Sequence, residues 1–362
     1  MFVIYLCVFL FSFFLSAVLV RAMIHLAPKI GYVDRPGGHK THKSPIPYGG
    51  GVAVYTTFVV SMLFFMVIAR SAQAGWISWP LISFVEPYLD GVFSTTVLLK
   101  IFCLAVAGAM IFFLGLVDDI HPRRPRFKLL VETLAACLVA YSDIRITLLI
   151  SNPIINILIT IVWIVVITNA FNLIDHADGL SSGVALIASF LFFAVTIQTG
   201  EVFVSMLIMI FIGSVAGFWI FNFPPASIFL GDAGSLFIGF IMAVTTILPT
   251  FFFYRFKASA LPVLMPLLVL ALPLFDCLSV VCIRLKNKAD IFKSDRNHFA
   301  HRLKRMGMGD RESVIMIYLL CAAIGIAALL LKDLGYFSGL LLLLQAMLIV
   351  SVVMMLEITG RR

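Results

Sequence analysis

Acidic and amide side chains that could bind a divalent metal ion concentrate in the short connections between long apolar segments. They comprise five carboxylates and two amides: Asp118, Asp119, Asp175, Asp178, Asp232, Asn169 and Asn172. Such hard oxygen donors suit Mg²⁺ or Mn²⁺ rather than zinc. Capping of helices and filling of turns would explain one of these residues, but it explains the whole set poorly.

The spacing of these residues adds a structural expectation. Asp175 and Asp178 lie three residues apart, as do Asn169 and Asn172, and on a helical turn each pair would share a face. Two carboxylates at that spacing repel each other unless a cation or a polar ligand lies between them. Asp118 and its neighbour Asp119 point in different directions, so we expect them to have different partners.

Histidines and cations lie in two further connections. Lys40 and His42 belong to the first, and His298, His301 and Arg302 to the last, where helical spacing would place them on one face. Contact with anionic lipid headgroups is the alternative role. Cations beside metal-binding carboxylates indicate a phosphate-rich substrate, because two unit charges 4 Å apart repel by about 4 kcal/mol at an effective dielectric of 20.

The elements that must position these residues follow from composition. The 362-residue chain is 62% apolar and 12% charged, whereas soluble domains carry about 25% charged residues. High hydrophobicity excludes a disordered chain, and the net charge of +8 is spread between apolar runs rather than gathered in a nucleic-acid-binding domain. The composition predicts an all-α, polytopic membrane helical bundle.

About eleven segments have the roughly 20 apolar residues that a transmembrane helix needs: 2–24, 49–69, 97–117, 127–142, 153–170, 181–198, 202–222, 235–254, 260–283, 313–331 and 335–357. Residues 144–150 are expected to form a small strand or to extend the fourth helix. We predict a single domain over 1–362, with its active site formed by connections near 31–51, 115–128, 169–180, 229–235 and 284–312.

Most of the 26 Lys and Arg residues fall in connections on one side of this bundle. Positive residues favour the cytoplasmic side. The bias therefore predicts a multi-pass protein of the inner or plasma membrane, with its N-terminus outside, its C-terminus inside and its active site facing the cytoplasm.

At these connections the sequence resembles the polyprenyl-phosphate N-acetylhexosamine-1-phosphate transferases, which belong to glycosyltransferase family 4. The matching stretches occur in order along nearly the whole chain: Asp34-x-Pro36 through Pro45-x-Pro47 with Gly49-Gly50, the Asp118-Asp119 pair, NAFNLIDHADGL at 169–180, FLGDAGSLFIG at 229–239 and DRNHFAHRL at 295–303. The resemblance implies transfer of a sugar-1-phosphate, with N-acetylglucosamine-1-phosphate preferred, from a UDP-N-acetylhexosamine to undecaprenyl or another polyprenyl phosphate. UMP is released in this first membrane step of a cell-envelope polysaccharide pathway.

Roles for single residues follow from the resemblance. Asp232 looks like the principal Mg²⁺ ligand, with Asn172 as its amide co-ligand and Mn²⁺ as an alternative ion. Asp118 or Asp119 acts as a base on the lipid phosphate or orients it. The remaining matches are substrate-binding positions: Lys40, His42, Asn169, Asp175, Asp178, His298, His301 and Arg302. Whether the chain forms a homodimer is left open.

The sequence departs from the family pattern at three positions. His39 replaces a basic residue, His176 stands where Gly is usual, and Ala300 replaces the third His of an H-x-H-H pattern. Because the metal residues and the acidic pair are intact, these departures bear on the sugar donor rather than on the reaction.

Three alternative functions stay open. The peptidoglycan branch of the family, which transfers phospho-N-acetylmuramoyl-pentapeptide, typically has a His-rich motif followed by an acidic residue that is absent here. A transporter would place ionisable residues near the bilayer midplane, where Asp276 is the candidate and Glu132 lies nearer a helix end. A lipid-binding scaffold would not need Asp118 or Asp232.

Overall fold

Helices dominate the part of the chain that the computed structural model describes, residues 1–35, 45–76, 92–147, 152–248, 264–288, 290, 298–332 and 336–359. One antiparallel pair of short strands, β1 (Val33–Asp34) and β2 (Ile46–Pro47), interrupts them. The helices are α1 Phe2–Leu26, α2 Gly50–Gln73, α3 Thr95–Ile120, α4 Pro125–Tyr141, α5 Pro153–Ile174, α6 Leu180–Thr199, α7 Val202–Asn222, α8 Gly231–Ile247, α9 Met265–Val269, α10 Ala271–Lys286, α11 Phe299–Arg305, α12 Asp310–Leu329 and α13 Tyr336–Thr359.

Seven of the helices in the described ranges are long and apolar enough to cross a bilayer: α1, α2, α3, α5, α6, α7 and α12. Large apolar side chains such as Phe14, Phe102 and Leu158 are exposed on their outer faces, as expected for contact with lipid rather than water. The prediction of an all-α, multi-pass membrane protein is confirmed. The remaining predicted spans overlap α4, α8, α10 and α13, which are shorter or only partly described, so the count of eleven and the orientation stay predictions.

Helix α8 forms the centre of the bundle. It packs against α2, α3, α5 and α6, and every one of its residues is buried except Asp232 in the first turn. Its apolar length is thus enclosed by protein, while its one carboxylate is presented at the helix end.

Two glycines allow neighbouring helices to approach the start of α8. A Cβ atom at Gly115 of α3 would lie 2.3 Å from the carbonyl oxygen of Asp232, and one at Gly51 of α2 would lie 2.2 Å from the backbone nitrogen of Gly234. Any side chain at these positions would therefore push the helices apart. The glycine-rich entry to α2 and Gly115, three residues before Asp118, bring the acidic ends of α3 and α8 together.

The expectation for residues 144–150 was wrong where the chain is described. Ile144–Thr147 form neither a strand nor a helical extension. The Ile146 N–H donates to the Thr160 hydroxyl of α5 (2.8 Å), so a side chain satisfies this backbone group where a partner strand would otherwise be needed. Residues 148–150 lie outside the described ranges.

Candidate functional site

Two carboxylates from different helices meet at one lysine. Lys128 Nζ, in the first turn of α4, lies 2.7 Å from Asp232 Oδ2 and 3.0 Å from Asp118 Oδ2. The Arg123 N–H donates to the other oxygen of Asp118 (2.7 Å). We call Asp118, Lys128, Asp232 and Asn172 the carboxylate–lysine cluster. The two acidic groups converge on a single point of positive charge, which is the arrangement that a cation-binding site requires.

Asp119 holds the start of α8 in place. Its carboxylate accepts hydrogen bonds from the backbone N–H groups of Asp232 (2.6 Å) and Ala233 (3.2 Å) and from the Tyr32 hydroxyl (2.7 Å). Carboxylates at a helix N-terminus satisfy free N–H groups and favour the helix dipole. Burial, followed by the charge of Asp119, raises the pKa of Tyr32, so its hydroxyl stays a donor. The expectation that Asp118 and Asp119 have different partners is confirmed.

The two amides of α5 face different carboxylates. Asn172 Nδ2 donates to Asp232 Oδ1 (3.0 Å) and to the Ser235 hydroxyl (2.8 Å). Asn169 Nδ2 donates to Glu132 of α4 and to the Val165 carbonyl (2.9 Å). Asn172 therefore belongs to the carboxylate–lysine cluster, whereas Asn169 links α5 to α4 beside it.

The expectation that Asp175 and Asp178 share a helical face was wrong. Helix α5 ends at Ile174, and Gly179, with a φ of 71°, separates it from α6. Burial, together with the charges of Asp232 and Asp119, raises the pKa of Asp175, which places this side chain near the cluster. Asp178 instead accepts the Ala226 N–H (2.9 Å) and fastens the turn to the segment before α8.

Imidazoles form a second group. The His176 ring stacks on His298, with ring centroids 4.3 Å apart, and lies 4.8 Å from His301. Asp276 of α10 accepts a hydrogen bond from His298 Nδ1 (2.9 Å) and another from the Phe299 N–H (2.5 Å). We call these three histidines with Asp276 the imidazole cluster. Burial, with the neighbouring His298, lowers the pKa of His176 to about 3, so this ring is neutral.

Arg302 lies against α10. Its Nη2 donates to the Ser279 hydroxyl (2.8 Å) and lies 3.8 Å from Asp276, while its guanidinium sits 5.7 Å from the ring centres of Phe275 and Phe299. It is thus a packing partner of Asp276 as well as a predicted substrate contact. The predicted substrate contacts Lys40 and His42 fall outside the described residues.

The segment that carries Lys40 and His42 is bounded by residues beside the acidic groups. Strands β1 and β2 pair on either side of it. The Phe229 N–H donates to the Pro47 carbonyl (2.9 Å), and Tyr32 just before β1 reaches Asp119. The first and fourth predicted connections therefore meet at the start of α8, as the single-site prediction requires.

Sequence reasoning did not single out Lys128, Tyr32 or Glu132 as site residues. Lys128 looks like any cation that fixes topology at a helix end, and only the fold places it between two carboxylates ten and 104 positions away. Glu132, a candidate for a transport path, is buried against Asn169. Asp276, the other transport candidate, bonds His298 and Phe299 locally.

The donor set of the carboxylate–lysine cluster fits a hard divalent cation. Asp118 and Asp232 each direct one oxygen at the same position, and both side chains are mostly buried, at 13% and 31% exposure. Carboxylates brought together in this way need positive charge between them. Asn172 directs its amide nitrogen at Asp232, so in this arrangement it orients the carboxylate.

Comparison with known proteins finds similarity over the stretch that contains the carboxylate–lysine cluster. The family model described as glycosyl transferase family 4 matches residues 101–250, the stretch that contains Asp118, Lys128, Asn172 and Asp232. A relative from Bacillus subtilis, named "Probable undecaprenyl-phosphate N-acetylglucosaminyl 1-phosphate transferase", is 28% identical over 97% of this chain and 91% of its own length.

The similarity to glycosyl transferase family 4 thus covers the residues of the carboxylate–lysine cluster.

Two further relatives carry similar names. The undecaprenyl-phosphate alpha-N-acetylglucosaminyl 1-phosphate transferase of Thermotoga maritima is 27% identical over 81% of this chain and 79% of its own length. The decaprenyl-phosphate N-acetylglucosaminephosphotransferase of Mycobacterium leprae is 28% identical over 81% of the chain and 75% of its own length. The chain therefore matches these relatives over most of both sequences.

Proposed function

We propose that this protein transfers N-acetylglucosamine-1-phosphate from UDP-N-acetylglucosamine to a polyprenyl phosphate and releases UMP. The observation that carries the proposal is the convergence of Asp118 and Asp232 on one cation position (3.0 and 2.7 Å) in a chain whose relatives are named for this transfer. A membrane enzyme suits the reaction, because the long apolar acceptor stays in the bilayer while its phosphate reaches the helix ends.

The residues fit a Mg²⁺ ion held by Asp232 and Asp118. When bound, such an ion neutralises charge on a diphosphate and stabilises the leaving phosphate. Asn172 was expected to be a ligand, but its hydrogen bond to Asp232 (3.0 Å) supports a role in orienting that carboxylate. Mn²⁺, which accepts the same oxygen donors, is the alternative ion.

Lys128 and Asp119 complete the proposed machinery. Lys128 supplies a positive charge within 3.0 Å of both carboxylates and is placed to neutralise a phosphate oxygen once a substrate binds. Asp119 has both oxygens engaged by Tyr32 and the start of α8, so we assign it to positioning Asp232. Asp118 also has both oxygens engaged, but one of them only by the Lys128 side chain. We therefore propose that, of the acidic pair, Asp118 orients the lipid phosphate by way of Lys128.

The other predicted contacts are assigned to the donor. Asp175 lies close enough to Asp232 and Asp119 for their charges to affect it, and His176 links it in sequence to the imidazole cluster. We propose that His298 and His301 face the sugar-diphosphate. The active site is proposed to face the cytoplasm, where the Lys and Arg residues concentrate.

Transfer can be tested with purified protein in lipid nanodiscs. The protein is incubated with polyprenyl phosphate, Mg²⁺ and a panel of radiolabelled UDP-sugars, and UMP release is measured together with label in organic-extractable lipid. We expect both products with UDP-N-acetylglucosamine, and neither without the lipid acceptor or with Asp232→Asn.

Two results would contradict the proposal. No UMP from any donor would exclude the transferase activity. Turnover with UDP-N-acetylmuramoyl-pentapeptide alone would instead assign the protein to peptidoglycan synthesis. A folded Asp232→Asn variant with wild-type rates would exclude the proposed metal residue while leaving the activity itself intact.

A further inference from the structure

Two residues at which the sequence departs from the pattern of the transferases that it resembles meet in the imidazole cluster. His176 stands where Gly is usual, and Ala300 stands where the third His of the H-x-H-H pattern is usual. Both residues line the same cavity of about 10 Å³. A side chain that is larger than usual and one that is smaller than usual therefore share one space, with the imidazole supplied by the turn after α5 instead of by α11.

The ring of His176 contacts both histidines that flank Ala300 in the chain. Its centroid lies 4.3 Å from that of His298, with 27° between the planes, and 4.8 Å from that of His301, with 37° between the planes. Rings at these distances are in contact over their faces. Neither histidine of this pair can therefore change its side-chain rotamer without disturbing the ring of His176.

The ring of His176 is itself held in a fixed orientation. Its Nδ1 lies 3.0 Å from the carbonyl oxygen of Leu173, in the last turn of α5. Because a carbonyl only accepts hydrogen bonds, Nδ1 carries the proton, and the bond satisfies one of the free carbonyls at a helix C-terminus. The other nitrogen, Nε2, is inaccessible to solvent and has no hydrogen-bond partner among the described residues. What His176 offers its neighbours is therefore the flat face of an oriented, neutral ring.

His298 is held from two directions. Asp276 accepts the hydrogen bond of its Nδ1 (2.9 Å) at one edge of the ring, and His176 covers one face. An edge contact and a face contact together fix both the position and the plane of the ring. The opposite edge, with Nε2, is then directed before any substrate binds, and side chains that are already ordered lose less entropy on binding.

We propose that His176 is a positioning residue for the nucleotide-sugar donor, and that its ring takes over the packing role of the imidazole missing at position 300. It holds His298 and His301 in the orientation in which they meet the diphosphate. This inference rests on the proposed function, in which those two histidines face the donor. His176 itself acts through them and not on the reacting atoms.

The first test is a KM and kcat comparison on the full-length protein in nanodiscs, with UMP release measured over a range of UDP-N-acetylglucosamine and then of polyprenyl phosphate concentrations. His176→Ala should raise the KM for the donor about 10-fold, as expected for the loss of about one hydrogen bond. The kcat and the KM for the lipid should change by less than about 2-fold, because only donor binding is weakened. His176→Phe keeps a flat ring and should recover most of the donor affinity. His25→Ala, at an exposed histidine of α1, should behave as the parent does.

The second test exchanges the two positions. Ala300 is fully buried, so Ala300→His alone should lower the melting temperature by at least about 2 °C, because the cavity cannot hold a second imidazole. In the double variant His176→Ala, Ala300→His, the new ring can enter the space that His176 leaves. The melting temperature and the donor KM should then both return towards those of the parent.

The outcomes separate this inference from the proposed transfer. No UMP from the parent would overturn the transfer, and the donor role of His176 with it. An active parent whose donor KM is unchanged in a folded His176→Ala variant would overturn the positioning role alone. Should His176→Ala fail to fold, the double variant decides, since recovered stability without a recovered donor KM would contradict the proposal.

Discussion

The two polar clusters of this bundle balance their buried carboxylates in different ways. In the carboxylate–lysine cluster, buried negative charge is balanced by a cationic side chain, with Lys128 within 3.0 Å of Asp118 and Asp232. In the imidazole cluster, Asp276 is balanced by hydrogen bonds from His298 and a helix N–H. The first therefore holds its oxygens ready for exchange of one cation for another, whereas the second holds its carboxylate in hydrogen bonds to a side chain and to the backbone.

The helices that position the two clusters differ as well. The first depends on the close approach of three long helices at Gly51 and Gly115. The second depends on α11, a helix of seven residues tied to α10 by Asp276 and Arg302. A change in helix packing should thus affect the first cluster more strongly, and this difference makes the comparison testable.

The largest expected effect is the loss of sugar-phosphate transfer when a carboxylate of either cluster is replaced by an amide. Asp232→Asn should lower the rate of UMP release by about 1000-fold or more, because it removes charge at the proposed metal. Asp276→Asn should lower it by about 10–100-fold, since Asp276 acts through His298. Equal losses in two variants that both fold would remove the distinction between the clusters.

Packing at Gly115 should have the next largest effect. Gly115→Ala is expected to destabilise the protein by about 1–3 kcal/mol and to reduce transfer, because the new Cβ would lie 2.3 Å from the Asp232 carbonyl. Gly108→Ala, on the same helix, is the matched control, since its Cβ would meet Phe237 at an ordinary 3.5 Å. Thermal unfolding and UMP release measure both, and equal behaviour of the two variants would contradict the close-approach explanation.

A smaller effect is expected on stability, where replacing Asp119 should cost more than replacing its neighbour Asp118. Asp119→Ala is expected to lower the free energy of unfolding by about 1–2 kcal/mol, because the first N–H groups of α8 lose their acceptor. Asp118→Ala should cost less, since Lys128 keeps Asp232 as a partner. Asp119→Asn should restore most of the stability, as Asn caps helices equally well. Denaturant titration in detergent distinguishes these outcomes; greater loss in Asp118→Ala would reverse the assignment.

The smallest expected effect concerns Lys128. Lys128→Gln leaves Asp118 and Asp232 without their cation, so the protein should melt lower in the absence of metal. Added Mg²⁺ should then raise the melting temperature by about 2 °C more than it does in the wild type. His301→Gln, in the imidazole cluster, should respond to Mg²⁺ as the wild type does. A Mg²⁺ response that is unchanged in Lys128→Gln would show that lysine and ion do not share a position.

Much of this architecture follows from local sequence signals. Apolar segments of about 20 residues predict the long helices, and adjacent positions on a helix project in different directions, which is why Asp118 and Asp119 could be expected to have separate partners. The start of α8 was predicted only approximately, because the predicted span 235–254 begins four residues after Gly231, where the helix starts. These properties depend on residues close together in the chain.

The remaining features depend on tertiary contacts or on turn geometry. Lys128 carries the same sequence signal as any residue that fixes topology, and its place between two carboxylates comes from the packing of α3, α4 and α8. The Asp276–His298 bond joins positions 22 residues apart. The expected helical turn at Asp175 and Asp178 was wrong because α5 ends at Ile174, and Gly179, a common left-handed helix terminator, precedes α6.

Binding of Mn²⁺, measured by electron paramagnetic resonance on the purified protein, tests the central claim most directly. We predict one Mn²⁺ site that Mg²⁺ displaces, weakened at least about 100-fold by Asp118→Asn or by Asp232→Asn and unchanged by His176→Gly. Wild-type Mn²⁺ binding in a folded Asp118→Asn, Asp232→Asn double variant would contradict the account.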